Sequence, residues 1–192
     1  MPNFAFDTPR LNCLPITDVD SDEFFKLVKD SDVGQQRSCF SNPSKLLDKV
    51  WHNGYVAVGA FLKDYPKMSI GCAPTLIGCI CGIPMDRYLV LDFIVLDKYR
   101  KQGLGSELLK AFIQKCRSEK CISNFRVQVE KNNLSAISFL DSMGFSVYPG
   151  GDFTVTVGNS TQSFHTYRAK FKEVCAWTEI SSLMLRGFGV SL

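Results

Sequence analysis

The segment Tyr99-Arg100-Lys101-Gln102-Gly103-Leu104-Gly105 joins an apolar run to a helix-forming one, and its residue types suit the capture of an anion. The first turn of a helix carries amide N–H groups without partners inside the helix. The helix dipole adds partial positive charge at the same end. Together they favour a phosphate-type group. Glycine belongs in such a loop because a Cβ would obstruct close approach and disfavour the turn. Lys101 through Ser106 are therefore read as a loop able to wrap a diphosphate mainly with main-chain donors. Two other phosphate loops are excluded. A G-x-G-x-x-G loop would need glycine where Leu108 stands, and G-x-x-x-x-G-K-[ST] is absent. Taken alone, Gly103-x-Gly105 reads more readily as a plain strand-to-helix turn than as an anion loop.

The elements around this loop follow from apolar spacing and capping residues. Tyr88 to Leu96 is a nearly continuous apolar run, as for a strand covered on both faces, interrupted only by Asp92. After the loop, Leu104, Leu108, Leu109, Phe112, Ile113 and Cys116 recur at helical spacing, which predicts a helix from about Gly103 to Lys120. Tyr55 to Leu62, Thr75 to Ile83 and Phe125 to Val129 read as further strands, with Pro84-Met85-Asp86 as a turn. Asn133 is placed to cap a helix carrying Ala136, Ile137, Leu140 and Met143 and stopped by Gly144. Upstream, Asp20 and Glu23 form a capping box before Phe24, Leu27 and Val28. Asn42-Pro43 opens a second helix that Gly54 ends. Thr154 to Val157 and His165 to Phe171 are expected as late strands, and Trp177 to Leu185 as a short amphipathic helix. Alternating patterns of this kind indicate an α/β or α+β domain.

With the strand, loop and helix in place, the string Leu91-Asp92-Phe93-Ile94-Val95-Leu96-Asp97-Lys98-Tyr99-Arg100-Lys101-Gln102-Gly103-Leu104-Gly105 resembles the coenzyme-binding motif of the GCN5-related N-acetyltransferase (GNAT) family. A second match lies downstream in the right order: Asn133-Leu134-Ser135-Ala136-Ile137-Ser138-Phe139-Leu140-Asp141-Ser142-Met143-Gly144-Phe145 is similar to that family's Asn-x-x-Ala-x-x-x-Tyr-x-x-x-Gly-Phe helix. The resemblance is clear from about Tyr55 to Phe145. It implies the acyl-CoA N-acyltransferase fold, a mixed, mostly antiparallel sheet with helices on both faces. A splay is expected between the strand ending at Leu96 and the strand from Phe125 to Val129. It also implies acetyl-CoA as cosubstrate and an amine, small-molecule or peptide, as acceptor. Main-chain groups of Phe93, Ile94 and Val95 would run along the pantetheine arm like an added strand. Arg100, Lys101, Gln102, Gly103, Leu104, Gly105 and Ser106 would surround the pyrophosphate. Asn133 and Ala136 would contact the pantetheine, although Asn133 serves equally as a plain N-cap.

Two departures bear on the chemistry. Where the family's helix usually carries a tyrosine, the proposed general acid for the leaving thiol, this chain has Leu140; Tyr148 or a water is the substitute donor considered. A thiol with a pKa of about 8.5 already leaves tolerably as the thiolate, whereas general-acid help is worth roughly 10²–10⁴-fold. Where some members carry a glutamate base, this chain has Leu89, and Asp92 is the one acid in that strand. Deprotonating a lysine-like amine at pH 7 costs about 4.6 kcal/mol, an α-amine only about 1 kcal/mol. Without a glutamate base the α-amine is the easier acceptor. A polyamine stays open through Asp92, because Leu91-Asp92-Phe93 and Gly105-Ser106-Glu107 faintly resemble diamine acetyltransferases. These departures keep a second function in view: an acetyl-CoA-binding module on the same fold with weak or no turnover. His165 and Glu130 are lesser candidates for the acceptor side.

The bulk numbers fit one domain over 1–192, with a coenzyme-binding core near 55–145 and a C-terminal extension, 150–192, of open role. The chain has 192 residues, 45% hydrophobic and 21% charged, enough apolar content for a core. A net charge of +3 without a basic block argues against nucleic acid as partner. Eight cysteines contain no C-x-x-C pair, and there are only two histidines, so no metal site is expected. Cys79 and Cys81 share a strand face and Cys116 lies on a helix stripe, which reads as core. No signal-like start and no long apolar run are present, so a cytoplasmic protein without membrane attachment is expected. The segment after Gly150 could pack on a second copy, leaving a homodimer open.

Overall fold

Side chains of the central strands divide, residue by residue, between two separate cores, because successive residues of a strand point to opposite faces. The computed structural model describes residues 4–16, 21–30, 42–63, 76–120, 122–157 and 160–170. In chain order these form β1 (Phe6–Asp7), β2 (Leu11–Pro15), α1 (Ser21–Asp30), α2 (Pro43–His52), β3 (Val56–Leu62), β4 (Leu76–Pro84) and β5 (Leu89–Val95). A 3-10 turn (Asp97–Tyr99) leads to α3 (Leu104–Lys120), followed by β6 (Asn124–Glu130), α4 (Leu134–Ser142), β7 (Ser146–Val147), β8 (Phe153–Val157) and β9 (Ser160–Lys170). The strands make one sheet in the order β1-β2-β3-β4-β5-β6-β9-β7, with β8 paired to β9. Every pairing is antiparallel except that of β5 with β6. The sheet is therefore mixed and mostly antiparallel.

Helices cover both faces. Ile80, Leu89, Leu91, Phe125, Val127 and Val129 point to the face where α3 and α4 bury Leu108, Leu109, Phe112 and Leu140. Ala57, Cys79, Cys81 and Ile94 point to the opposite face, where α1 and α2 bury Phe24, Leu27, Leu46 and Val50. Cys79, Cys81 and Cys116 are thus core residues.

Most expected elements appear within a residue of their predicted ends. Asn42 caps α2 through its side chain, which accepts from the Lys45 amide at 3.0 Å, with Pro43 in the first turn. Three differences have physical reasons. β1 and β2 were not expected: they are short, and β2 ends on Pro15. They form because Leu11 and Cys13 bury on one side while Asn12 and Leu14 face out, with β3 as partner. β7 has only two residues, too few for a periodic signal. β9 begins at Ser160, not His165, because its polar first half is held as a strand by pairing with β8. The proposed Asp20 cap and the helix over Trp177 to Leu185 lie outside the described residues.

Candidate active site

β5 and β6 run side by side for three residue pairs only, Leu89 with Phe125, Val90 with Arg126 and Leu91 with Val127. From Asp92 and Gln128 onward the strands part, so the edge of β5 that faces β6 has no strand partner. This is the expected splay. It opens into a cleft of about 910 Å³, lined among others by Asp92, Phe93, Ile94, Val95, Gln128, Val129, Glu130 and residues of α4. One wall is apolar: the rings of Phe93 and Phe139 lie 5.4 Å apart.

The loop before α3 forms the mouth of the cleft. Lys101 and Gly103 both have left-handed backbone, with φ of 58° and 78°. Left-handed residues separated in this way turn successive amides toward one concavity, the geometry of an anion nest. For Lys101, which has a Cβ, this conformation is strained by about 1 kcal/mol or more. No amide from residue 101 to 106 donates to a protein acceptor among the described residues; the first paired one belongs to Glu107, which donates to the Gly103 carbonyl at 3.0 Å. Gly105 lines the cleft, and a Cβ built there would meet nothing nearer than Val95 Cγ2 at 3.7 Å and Phe139 at 3.9 Å. The protein itself leaves space for a side chain at 105, so the glycine keeps open a cradle that a Cβ would partly fill. Unpaired amides, a nest and an open cradle together fit a diphosphate.

The N-terminal hairpin braces this loop. The Arg10 guanidinium donates to the Gln102 carbonyl at 2.9 Å and to Glu107 Oε2 at 2.7 Å. The Arg10 amide donates to Glu107 Oε1 at 2.9 Å, and the Thr8 hydroxyl donates to the same oxygen. Burial alone would raise the Glu107 pKa. The hydrogen bonds from Thr8 and from the Arg10 amide and side chain, with the Arg10 charge, outweigh it and hold the carboxyl below its ordinary value. Sequence reasoning missed Thr8, Arg10 and Glu107, since nothing local marks residues almost a hundred positions apart as partners.

Of the residues expected to hold the coenzyme, Phe93, Ile94, Val95, Arg100, Lys101, Gly103, Gly105, Ser106, Asn133 and Ala136 line the cleft. Gln102 and Leu104 do not. The Gln102 side chain donates to the Lys98 carbonyl at 2.9 Å, and Leu104 buries its side chain in the α3 core. The Arg100 guanidinium reaches back to the Val95 carbonyl at 3.0 Å and Asp97 Oδ1 at 2.9 Å, stitching the loop to β5. Asn133 is an N-cap, its Oδ1 accepting from the Ala136 amide at 3.0 Å, and it lines the cleft as well.

On the acceptor side, Asp92 and Glu130 both line the cleft, Asp92 half-buried. Tyr148 does not. Its ring stacks on Arg126, whose guanidinium carbon lies 4.3 Å from the ring centre, and its amide donates to the Thr166 carbonyl at 2.7 Å. The substitute proton donor considered for Leu140 is thus placed elsewhere on the sheet, and no tyrosine lines the cleft among the described residues. His165 is also outside the lining: its Nδ1 meets Asp152 Oδ1 at 3.0 Å, and Asp152 also pairs with Lys131 at 2.7 Å. Leu140 and Leu89 are buried in the core. Burial, with the nearby Cys81 and Asp92, pushes the Cys79 thiol well above its usual range. Among the described residues, no three His, Cys, Asp or Glu side chains gather as a metal cluster would, and no helix is long and apolar enough to cross a membrane.

Comparison with known proteins agrees with this geometry. The family model described as "Acetyltransferase (GNAT) family" matches residues 21–145. No curated protein sequence matches the chain. Among solved structures, a GNAT-family acetyltransferase from Bacillus anthracis superposes with a TM-score of 0.66 at 16% identity, over 86% of this chain and 98% of that one. A ribosomal-protein-S5-alanine acetyltransferase from Vibrio fischeri gives 0.69 at 10% identity, over 90% and 99%. A spermidine/spermine N-acetyltransferase from Vibrio cholerae gives 0.63 at 15% identity, over 84% and 92%. At these identities the likeness is one of fold.

Proposed function

This chain belongs to the acetyltransferase (GNAT) family, and we propose that it moves an acetyl group from acetyl-CoA to an amine by direct attack, with no covalent enzyme intermediate. The observation that carries the reading is the set of unpaired amides from 101 to 106 at the mouth of the cleft, beside the open cradle at Gly105. These amides hold the pyrophosphate, and the edge of β5 beyond its pairing with β6 takes the pantetheine arm as an added strand. The bound cosubstrate supplies a thioester, whose carbonyl carbon accepts the amine nitrogen as the C–S bond breaks. Main-chain N–H groups on the β5 edge stabilise the charge developing on the carbonyl oxygen.

Asp92 and Glu130 serve the acceptor, orienting its nitrogen and taking its proton directly or through water. With neither a glutamate at 89 nor a tyrosine at 140, an amine that loses its proton cheaply near pH 7 is favoured, such as an α-amine, for which the cost is about 1 kcal/mol. The thiol takes its proton from water or leaves as the thiolate. Cys79 supports direct transfer, because a buried thiol with a raised pKa is a poor nucleophile.

The test is coenzyme release from acetyl-CoA over a panel of α-amines, polyamines and lysine-like amines. Release with at least one amine is expected, with α-amines ahead of lysine-like ones. A second reading, coenzyme binding without turnover, rests on Leu140 and Leu89. Tight coenzyme binding with no release from any amine would establish it in place of the enzyme.

A further inference from the structure

β6 and β9 lie side by side with Arg126 directly opposite Arg168. Strand alternation sends both to the sheet face opposite α3 and α4, because their neighbours Phe125, Val127, Tyr167 and Ala169 are buried beneath those helices. Two like charges directly opposite on neighbouring strands repel. Neither guanidinium takes part in any ion pair among the described residues. The Arg126 guanidinium carbon lies over the ring of Tyr88, 3.7 Å from its centre, and over that of Tyr148, 4.3 Å from its centre. The Arg168 guanidinium carbon lies 5.1 Å from the same Tyr148 ring. A ring over the Arg126 guanidinium meets its π-face and satisfies none of its N–H groups, which still need an acceptor. Its Nε is fully buried and has none.

The position of this cluster gives it a use. Arg126 is in register with Val90. Two residues farther along the same face stand Asp92 on β5 and Gln128 on β6, both in the lining of the cleft. Two strand residues span about 7 Å. We propose that Arg126 and Arg168 form an oxyanion subsite for the acceptor, so that the preferred substrate is a small amine that also carries a carboxylate or phosphate. The oxyanion accepts in-plane N–H bonds from Arg126 and offsets the repulsion between the two arginines, while the amine points along β5 to Asp92 and the splay. The tyrosine rings fix the guanidinium plane in advance, so little freedom is lost on binding. This inference rests on the acetyl-transfer reading above, which it narrows to a class of acceptor.

The experiment compares anionic and neutral amines in the coenzyme-release assay, with each KM expressed per concentration of neutral amine because the anionic member of each pair is the more basic: glycine against glycinamide for the carboxylate, and phosphoethanolamine against ethanolamine for the phosphate. At least one anionic member should show a KM about tenfold or more below its neutral match, and the better pair identifies which oxyanion is read. Arg126→Gln and, separately, Arg168→Gln should abolish the preference while the Kd for CoA stays unchanged, which also shows that each variant is folded. Turnover without any preference for the anionic members, or a preference that survives both substitutions, overturns the subsite. A calorimetric titration of the CoA-saturated protein with inorganic phosphate, in which the loop at 101–106 is already filled, separates this inference from the transfer reading. If no amine supports turnover, phosphate binding to the wild type that is lost in Arg126→Gln upholds the subsite while the enzyme reading fails. Absent both turnover and phosphate binding, the subsite is overturned.

Discussion

Replacing Arg10 by alanine tests whether the N-terminal hairpin holds the coenzyme loop in shape. The substitution removes two of the four links to the loop and α3, the guanidinium bonds to the Gln102 carbonyl and to Glu107 Oε2. The bonds from the Arg10 amide and the Thr8 hydroxyl to Glu107 do not need the side chain. The Arg10 side chain is 47% exposed, so each lost bond is valued at the low end, about 0.5–1 kcal/mol. The total is about 1–2 kcal/mol. Part of it falls on folding, and the rest falls on a loop whose left-handed Lys101 no longer has its neighbour fixed. If about 1 kcal/mol is charged to binding, CoA affinity drops roughly fivefold, with kcat at saturating acetyl-CoA little changed. Calorimetric titration with CoA reads the effect directly. Arg10→Lys separates shape from charge. A lysine keeps the positive charge but cannot span both acceptors in fork geometry, so it should weaken binding about as much as alanine. Full affinity in Arg10→Lys, or in Arg10→Ala, would refute the reasoning.

Other perturbations follow from the same contacts. Glu107 has a folded-state pKa below its ordinary 4.5, so its contribution to stability is present above about pH 4.5 and is lost as pH falls through the lower folded value. The stability gap between wild type and Glu107→Gln, from urea unfolding between about pH 6 and pH 3, should therefore narrow toward acid; a constant gap would contradict the assignment. Gly82→Ala would push a Cβ to 2.6 Å from Leu89 Cδ2 and 3.2 Å from Phe112 Cζ. Overpacking of this kind costs about 1–3 kcal/mol, expected as a fall in Tm of several degrees, whereas an unchanged Tm would show that the core gives way freely. Cys79→Ala should keep kcat within about twofold, since a thiol held neutral by burial takes no part in transfer; loss of turnover in a folded variant would reinstate a covalent intermediate.

The sequence carried the parts of the fold that repeat at short range. The α3 stripe from Leu104 to Cys116 and the apolar run of β5 were legible because periodicity reports burial. Their connection by a glycine loop made the anion site legible too, since helix starts and glycines have local consequences. The acid at Asp92 stood out as a polar break in an apolar strand, and the structure places it in the cleft. What stayed hidden depends on long-range pairing. β1, β2 and β7 are too short for a period and exist because a neighbouring strand accepts them. Arg10 and Glu107 meet only once the hairpin folds over α3. Tyr148 looked like a stand-in proton donor because it closely follows the α4 motif. Its register opposite Thr166 turns it instead to the arginine face of β9. The same register brings Tyr88, just before β5, Arg126 of β6 and Arg168 of β9 to Tyr148, just after β7, places that no local pattern connects.

The central claim is that main-chain donors from 101 to 106 grip a diphosphate. Its most direct test is calorimetric titration of the wild type and Gly105→Val with CoA and with pantetheine, which lacks the diphosphate and nucleotide. The wild type should bind CoA at least about tenfold more tightly than pantetheine, and the valine, whose side chain occupies the cradle in a folded protein, should erase most of that difference. Equal affinity of the wild type for the two ligands, or an undiminished CoA advantage in Gly105→Val, would contradict the account.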